Sequence, residues 1–460
     1  MQSNVSPQFI DTHCHLEMQQ FDHDRDDVIR RAKAAGITAM ITVGSDSEGI
    51  PKAIELAGRH DDVYAAIGIH PHDSRRFDGD TESRLRKWAS NSKVVALGET
   101  GLDYHYDHSP REIHREVFRK HLAMSGEYGL PVIIHSREAD DDTIAVIRES
   151  GIRRGVLHCF SGSTAMASDL IGLGYHISIA GPVTFRKAGA LRDVARLIPD
   201  ERLLIETDAP YLCPEPFRGR RNEPAHLVHT ARMIADLRGI SLEDLARITT
   251  LNAQRLFRLG KIDQKAEIAY KIRDSLYLNI TNRCTNACTF CVRVQTDFVK
   301  GHNLRLDHDP SEDEIREAIG DPSLYREVVF CGYGEPLSRP DTVRNISAWI
   351  KAHNGRVRIN TNGQANLIHK RKVLDELAGL VDSISISLDA QDEETYARIC
   401  RPAYPNAYQE VIRFIREAKE AIPDVRVTVV AMEGVDLEKC RAIAEELGVR
   451  FTVRTLDVVG

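Results

Sequence analysis

Cys284, Cys288 and Cys291 stand on one short stretch, T-N-R-C-T-N-A-C-T-F-C, with three and then two residues between them. Three thiolates at that spacing can hold three irons of a [4Fe–4S] cluster, leaving the fourth iron free to take a small molecule. A three-cysteine zinc site is the plainer reading of the same residues. A second set of chemically capable residues lies earlier in the chain. His13 and His15 flank Cys14 in D-T-H-C-H, His70 sits in G-I-H-P-H, and Glu99 opens E-T-G-L-D. His135 follows in I-I-H-S-R, His158 in L-H-C-F-S-G, and Asp208 in E-T-D-A-P. Mixed imidazole and carboxylate donors suit hydrolytic centres of zinc, manganese or magnesium type. A carboxylate such as Glu99 can bridge two ions, and a pair of ions can activate water and stabilise both ends of an in-line displacement.

Elements that could position these groups are visible in the pattern. In the first half, short apolar runs alternate with stretches of helical spacing. The runs are Phe9–His15, Thr38–Gly44, Tyr64–His70, Val94–Glu99, Pro131–His135, Gly155–His158, His176–Ala180 and Leu203–Asp208. Eight such units over about 200 to 250 residues predict a (βα)8 barrel of buried parallel strands. The candidate ligands fall at the C-terminal ends of the runs, which converge on one face of such a barrel. A lone histidine there would more often be a core residue. Seven ligand-type residues at successive strand ends make a metal site the better reading. Glu206 and Asp103 are weaker candidates for supporting roles. After Asp208 a Pro-rich loop carries Arg218, Arg220 and Arg221, whose planar forks suit phosphate; His70 and Arg137 are further candidates for phosphate contact.

The βα rhythm resumes in the second half. Six strand-like runs, Ser275–Ile280, Glu327–Cys331, Arg356–Asn360, Ser383–Leu388, Val425–Ala431 and Phe451–Thr455, predict an open (βα)6 partial barrel, with the cysteine loop following its first strand. The expected domains are residues 1–260 and 275–460. Residues 261–274 form a short charged connection without the Pro, Gly or Ser tract of an extended linker.

The chain has 460 residues, enough for two full cores. Its net charge of −7 argues against nucleic-acid binding through bulk charge, so any such binding needs a local basic patch. Nine cysteines, three clustered and six scattered, fit a reducing compartment rather than a disulfide framework. With no signal-like N-terminus and no long apolar run, the expectation is a cytoplasmic protein without membrane contact.

The first half, from Phe9 to the T-L-N-A-Q-R-L-F stretch ending at Phe257, resembles the TatD family of metal-dependent deoxyribonucleases. The resemblance implies one divalent ion on His13, His15, Glu99 and Asp208 and a second on Glu99, His135 and His158. Glu99 and Asp208 would be central to catalysis. It also implies cleavage of DNA or nucleotide phosphodiesters, often from the 3′ end. The same ligand set serves carbonyl chemistry, so an amide or lactone hydrolase acting on a small molecule is the alternative. The cysteine loop, with Phe290 before its last cysteine, resembles the radical S-adenosylmethionine superfamily. That implies one [4Fe–4S] cluster, S-adenosylmethionine cleaved to a 5′-deoxyadenosyl radical, and an electron donor such as flavodoxin or ferredoxin. G-Y-G-E-P at 332–336 looks like the G-G-E-P motif of that superfamily, with Tyr333 as a departure. By resemblance Gly334, Glu335, Asn360, Ser387 and Asp389 would contact the cofactor. The whole chain resembles TatD-associated radical enzymes, in which the two modules are fused.

Overall fold

The computed structural model describes residues 7–106, 108–260, 262, 265–294 and 296–455. The chain forms two compact units, which meet between Ile262 and Asp263. Among the described residues no helix is long and apolar enough to cross a membrane.

The first unit is a parallel sheet of eight strands in sequential order. They are β1 (Phe9–Cys14), β2 (Ile37–Gly44), β3 (Val63–Ile67), β4 (Val94–Asp103), β5 (Val132–Arg137), β6 (Gly155–Leu157), β7 (His176–Ile179) and β8 (Leu203–Ile205). Past β8 the chain returns to β1: the Asp208 amide donates to the His13 carbonyl at 2.9 Å and the His15 amide to the Ala209 carbonyl at 2.7 Å. Every residue of β1 and β4 is buried, as strands covered on both faces must be. Ile10, Ile41, Val95, Ile133, Val156 and Leu204 pack together with Ala253, Leu256 and Phe257 of the helix Leu242–Phe257. That helix starts on the Ser241 hydroxyl, which accepts from the Asp244 amide, and Thr250 on it donates to the Gln8 carbonyl just before β1. It therefore covers the N-terminal end of the barrel and leaves the C-terminal face for chemistry.

Two glycines shape β4. A Cβ at Gly98 would lie 2.4 Å from the Ile133 carbonyl oxygen, and one at Gly101 would lie 2.1 Å from that of His135. Their φ angles, +142° and +136°, are ones side chains rarely adopt. The pairing of β4 with β5 also slips between Leu97 and Thr100. The backbone of β4 is thus pressed onto β5 on either side of Glu99.

The second unit contains β9 (Ala269–Ile272), β10 (Ser275–Leu278), β11 (Phe298–Val299), β12 (His302–Asn303), β13 (Val328–Phe330), β14 (Val357–Thr361), β15 (Ser383–Ser387), β16 (Asp424–Ala431) and β17 (Arg450–Thr455). The main sheet runs β17-β16-β15-β14-β13-β10-β9, and β11 pairs with β12 in a second, two-stranded sheet. Strands β10 and β13 to β17 are the six parallel strands expected. β9 is an addition, antiparallel to β10 along the sheet edge. It falls within the stretch read as a connection, so the connection is shorter than 261–274. A four-residue strand with one buried side chain, Tyr270, is too short for its pattern to announce itself.

Candidate metal centre and cysteine loop

On the C-terminal face of the first barrel the seven expected residues converge. His13 lies in β1 and His15 one residue past it; His70 is three past β3, Glu99 is mid-β4, His135 is in β5, His158 is one past β6 and Asp208 three past β8. Glu99 Oε2 is 3.6 Å from His13 Nε2 and 4.0 Å from His15 Nε2. Asp208 Oδ1 is 3.7 Å and 3.5 Å from the same two nitrogens, which are themselves 3.2 Å apart. The other oxygen, Glu99 Oε1, is 2.7 Å from His158 Nε2, 2.9 Å from His135 Nδ1 and 3.4 Å from His70 Nε2. One carboxylate therefore faces two nests of nitrogen and oxygen donors. Two of the donor triads compact enough to hold a metal ion are His13, His15, Glu99 and His70, Glu99, His135. His70 belongs to the second nest, closer in than a residue at the mouth.

A further layer aims the imidazoles. His15 Nδ1 is 3.0 Å from the Val43 carbonyl oxygen, which fixes a proton there and leaves Nε2 for the nest. Asp103 Oδ2 is 3.1 Å from His135 Nε2 and 3.0 Å from His72 Nε2, and its Oδ1 accepts from the His105 and Tyr106 amides. Glu206 Oε1 is 3.3 Å from His158 Nδ1 and accepts from the Cys159 amide. The supporting roles expected of Asp103 and Glu206 have this geometry. Asp11, fully buried, accepts from the backbone and hydroxyl of Thr207 and ties the start of the site to the end of β8. Asp208 and Cys159 hold φ of +56° and +43°, strain of a kind that concentrates at functional positions. Cys14 turns away, donating to the Ile41 carbonyl.

Burial alone would raise the Glu99 carboxyl, but the surrounding imidazoles hold it well below its ordinary value. Asp208 is held down against burial by His15 and His13. Burial opposes charge on His15 and His158, yet Asp208 and Glu17 push the first well up, and Glu99 and Glu206 push up the second. The anionic carboxylates attract protons to the nests, as they would attract cations.

The arginines divide. Arg137 ends β5 with its guanidinium 4.8 Å from the Tyr106 ring centroid. Arg218 lies 4.2 Å over Phe185, and exposed Arg220 lies 5.8 Å from the Phe217 centroid. Arg221, expected to meet phosphate, is instead taken by both oxygens of Asp24 and the Gln20 carbonyl. A partner 197 residues away in sequence could not be read from the loop.

In the second unit the cysteine loop follows β10 and docks on the end of the helix Glu393–Cys400. The Ala287 amide donates to the Cys400 carbonyl, Thr289 to Ile399, and Ala403 back to Thr285. Arg293 directs Nε to Cys291 Sγ at 3.4 Å and its other nitrogens to the Asn282 and Asn286 carbonyls. The Asn286 amide donates to Cys284 Sγ at 3.4 Å, and the Asn362 side chain to Thr285 Oγ1 at 3.0 Å. Buried Gln364 and Tyr396 close a network on the Asn286 side chain. Arg293, Gln364 and Tyr396 carry no motif, and the sequence reading missed them, as it missed Asn286 within the cysteine stretch.

Gly334 packs flat against this loop, where a Cβ would lie 2.5 Å from the Thr281 and Arg283 carbonyl oxygens. The Glu335 carboxylate is buried and accepts from the Leu337 and Asn362 amides and the Thr361 hydroxyl. It pins the end of β13 to the end of β14. Tyr333 packs with Tyr270, Val299 and Leu304 and donates to Asp297. The Asn360 oxygen accepts from Arg358. Asp389, at φ +54°, accepts from the Val430 amide, and burial pushes its carboxyl up to about 6. Ser387, half-buried at the end of β15, lies two residues before it.

Residues 10–258 match the family model of the TatD related DNases and residues 278–447 that of the Radical SAM superfamily. The uncharacterized metal-dependent hydrolase YabD of Bacillus subtilis is 44% identical over 252 residues, 54% of this chain and 99% of its own length. The 3′-5′ ssDNA/RNA exonuclease TatD of Erwinia tasmaniensis is 38% identical over 252 residues, 53% of this chain and 97% of its own. Among solved structures, the TatD homologue YjjV of Escherichia coli K12 is 32% identical with a TM-score of 0.53, covering 55% of this chain and 98% of that one.

Proposed function

The chain belongs to the TatD related DNase family and carries a radical SAM superfamily domain, and on that premise we propose that its first barrel is a two-metal phosphodiesterase. Its substrate in this reading is DNA or a nucleotide, cut from the 3′ end. The observation that carries the reading is Glu99, whose two oxygens face separate nests of donors. His13, His15, Glu99 and Asp208 would hold one ion, and Glu99, His135 and His158 the other, with His70 beside the second. The donor set fits: three imidazoles aimed from behind by a carbonyl or carboxylate, and two carboxylates held ionised. Divalent cations such as zinc, manganese or magnesium, when bound there, supply Lewis acidity to a phosphoryl oxygen and lower the pKa of water.

The protein's own part is orientation and charge. Asp103 and the Val43 carbonyl hold protons on the outward nitrogens of His135 and His15, so the inward nitrogens stay basic, and Glu206 places its charge 3.3 Å behind His158. Arg137, beside the second nest, offers a fork to a substrate phosphate. The test is release of mononucleotides from a single-stranded oligonucleotide with added manganese or magnesium. His135→Ala is expected to abolish release. Undiminished release by this variant, or hydrolysis of neutral lactones only, would sink the reading.

For the second unit the reading is a radical S-adenosylmethionine enzyme. Cys284, Cys288 and Cys291 would hold one [4Fe–4S] cluster, whose chemistry is reductive cleavage of S-adenosylmethionine with an electron from a donor such as flavodoxin or ferredoxin. Arg293 and the Asn286 amide point N–H groups at the Cys291 and Cys284 sulfurs. Asn360, Ser387 and Asp389 at the strand ends, with the Gly334 backbone, are the cofactor contacts. Nine free cysteines support a reducing compartment, the cytoplasm. After anaerobic reconstitution, 5′-deoxyadenosine should form with reductant and vanish in Cys288→Ala.

A further inference from the structure

Seven large hydrophobic side chains are exposed among the described residues, and three of them ring the metal face: Tyr106, Tyr211 and Leu212. Tyr106 follows β4 and is 49% exposed; Tyr211 follows β8 and is 47% exposed. They attach to different halves of the centre. Tyr106 meets the His72 ring edge-on at 5.3 Å, and His72 shares Asp103 with His135. Tyr211 meets the His15 ring edge-on at 6.2 Å, held there by a donation from its hydroxyl to Met18 Sδ at 3.6 Å.

We propose that Tyr106 and Tyr211 are base-stacking subsites on either side of the Glu99 centre. The proposal rests on the phosphodiesterase reading of that centre. Tyr106 already belongs to a stack, parallel to exposed His108 at 5.6 Å and with the Arg137 guanidinium 4.8 Å from its ring centroid. A nucleobase prolongs such a stack at little cost, because every base has a π-face. On the other side the Arg218 guanidinium over Phe185 repeats the pairing of a flat ring with a cation. These arginines supply the local positive charge that a chain of net charge −7 otherwise lacks. A base inside a duplex has both faces covered by its neighbours. Two stacking residues flanking one cleavage centre therefore require splayed bases, which only a single strand or a frayed end provides.

The test compares two single strands of equal length, one with bases and one made of abasic residues, so that phosphates are constant and stacking surface is not. The full chain is stripped of metal with EDTA, and binding of each strand is read by anisotropy of a 5′ fluorophore. Wild type should bind the base-bearing strand at least about tenfold more tightly. Tyr106→Ala and Tyr211→Ala should each shrink that ratio severalfold, while Tyr106→Phe keeps it. Leu197→Ala, at an exposed residue on a helix, should leave it unchanged. Equal binding of both strands by wild type, or a ratio untouched by both alanine variants, overturns the proposal. Turnover with manganese separates the parent reading: if the base preference is present but neither strand is cut, the subsites stand and the hydrolytic assignment falls.

Discussion

At the scale of single residues the site is a set of directed nitrogens, and direction is what the supporting shell provides. Asp103→Asn keeps shape but removes the negative charge behind His135. It is expected to weaken metal binding about 10- to 100-fold, read by titrating the stripped protein with zinc against a competing chelator. Loss of all binding, or none, would place Asp103 outside the aiming role. In the second unit, Arg293→Ala removes the donor to Cys291 Sγ and the clamp on the Asn282 and Asn286 carbonyls. Iron content after reconstitution should fall well below wild type, while Arg305→Ala, on an exposed side chain, should load fully. The convergence of the candidate ligands was legible in the sequence because chemistry demands particular residue types at strand ends. Arg221 was misread because its loop looks the same whether the guanidinium meets phosphate or Asp24. The tie that Glu335 makes between β13 and β14 was not legible, because a motif gives its identity and not the way its carboxylate turns.

At the scale of elements, β4 is the strand that had to be bent to work. Its glycines allow a carboxylate to emerge mid-strand beside His135, which a regular register would not permit. Gly98→Ala and Gly101→Ala should each lower unfolding stability by about 3 kcal/mol, seen as a reduced urea midpoint with the remote Gly58→Ala as control. A second element, the helix Arg111–Tyr128, sends His121 to the loop after β3, where its Nε2 accepts from the Ile69 amide at 3.2 Å. Burial depresses this imidazole to about 4. The folded state thus binds fewer protons than the unfolded state between pH 6.5 and 4. The cost is absent above pH 6.5, grows as pH falls, and levels off below 4 at up to about 3 kcal/mol. His121→Gln should flatten the fall in urea midpoint across that window; an unaltered slope would assign acid sensitivity elsewhere. The eight and six parallel strands could be read from apolar runs bounded by helical spacing. β9 could not, because an edge strand owes its form to the partner it pairs with.

At the scale of the molecule, each unit has a complete core of its own. Phe9 to Leu259 supply the buried clusters of the first, and Tyr270 to Leu447 those of the second. Heating should therefore give two calorimetric transitions, and residues 1–262 expressed alone should fold and bind metal. A single transition with an insoluble fragment would refute that independence. The division between the halves was legible from where one βα series ends and the cysteine loop begins. The join itself was not, because a short charged stretch reads alike as strand or connection. The two cores also separate two kinds of damage. An iron–sulfur cluster on half-buried cysteines is a target for oxygen, whereas imidazole and carboxylate ligands to a divalent ion with no redox chemistry are not. If both proposed centres are present, this chain in air would lose one catalyst and keep the other. The ratio of its two activities would then record how long it had been exposed.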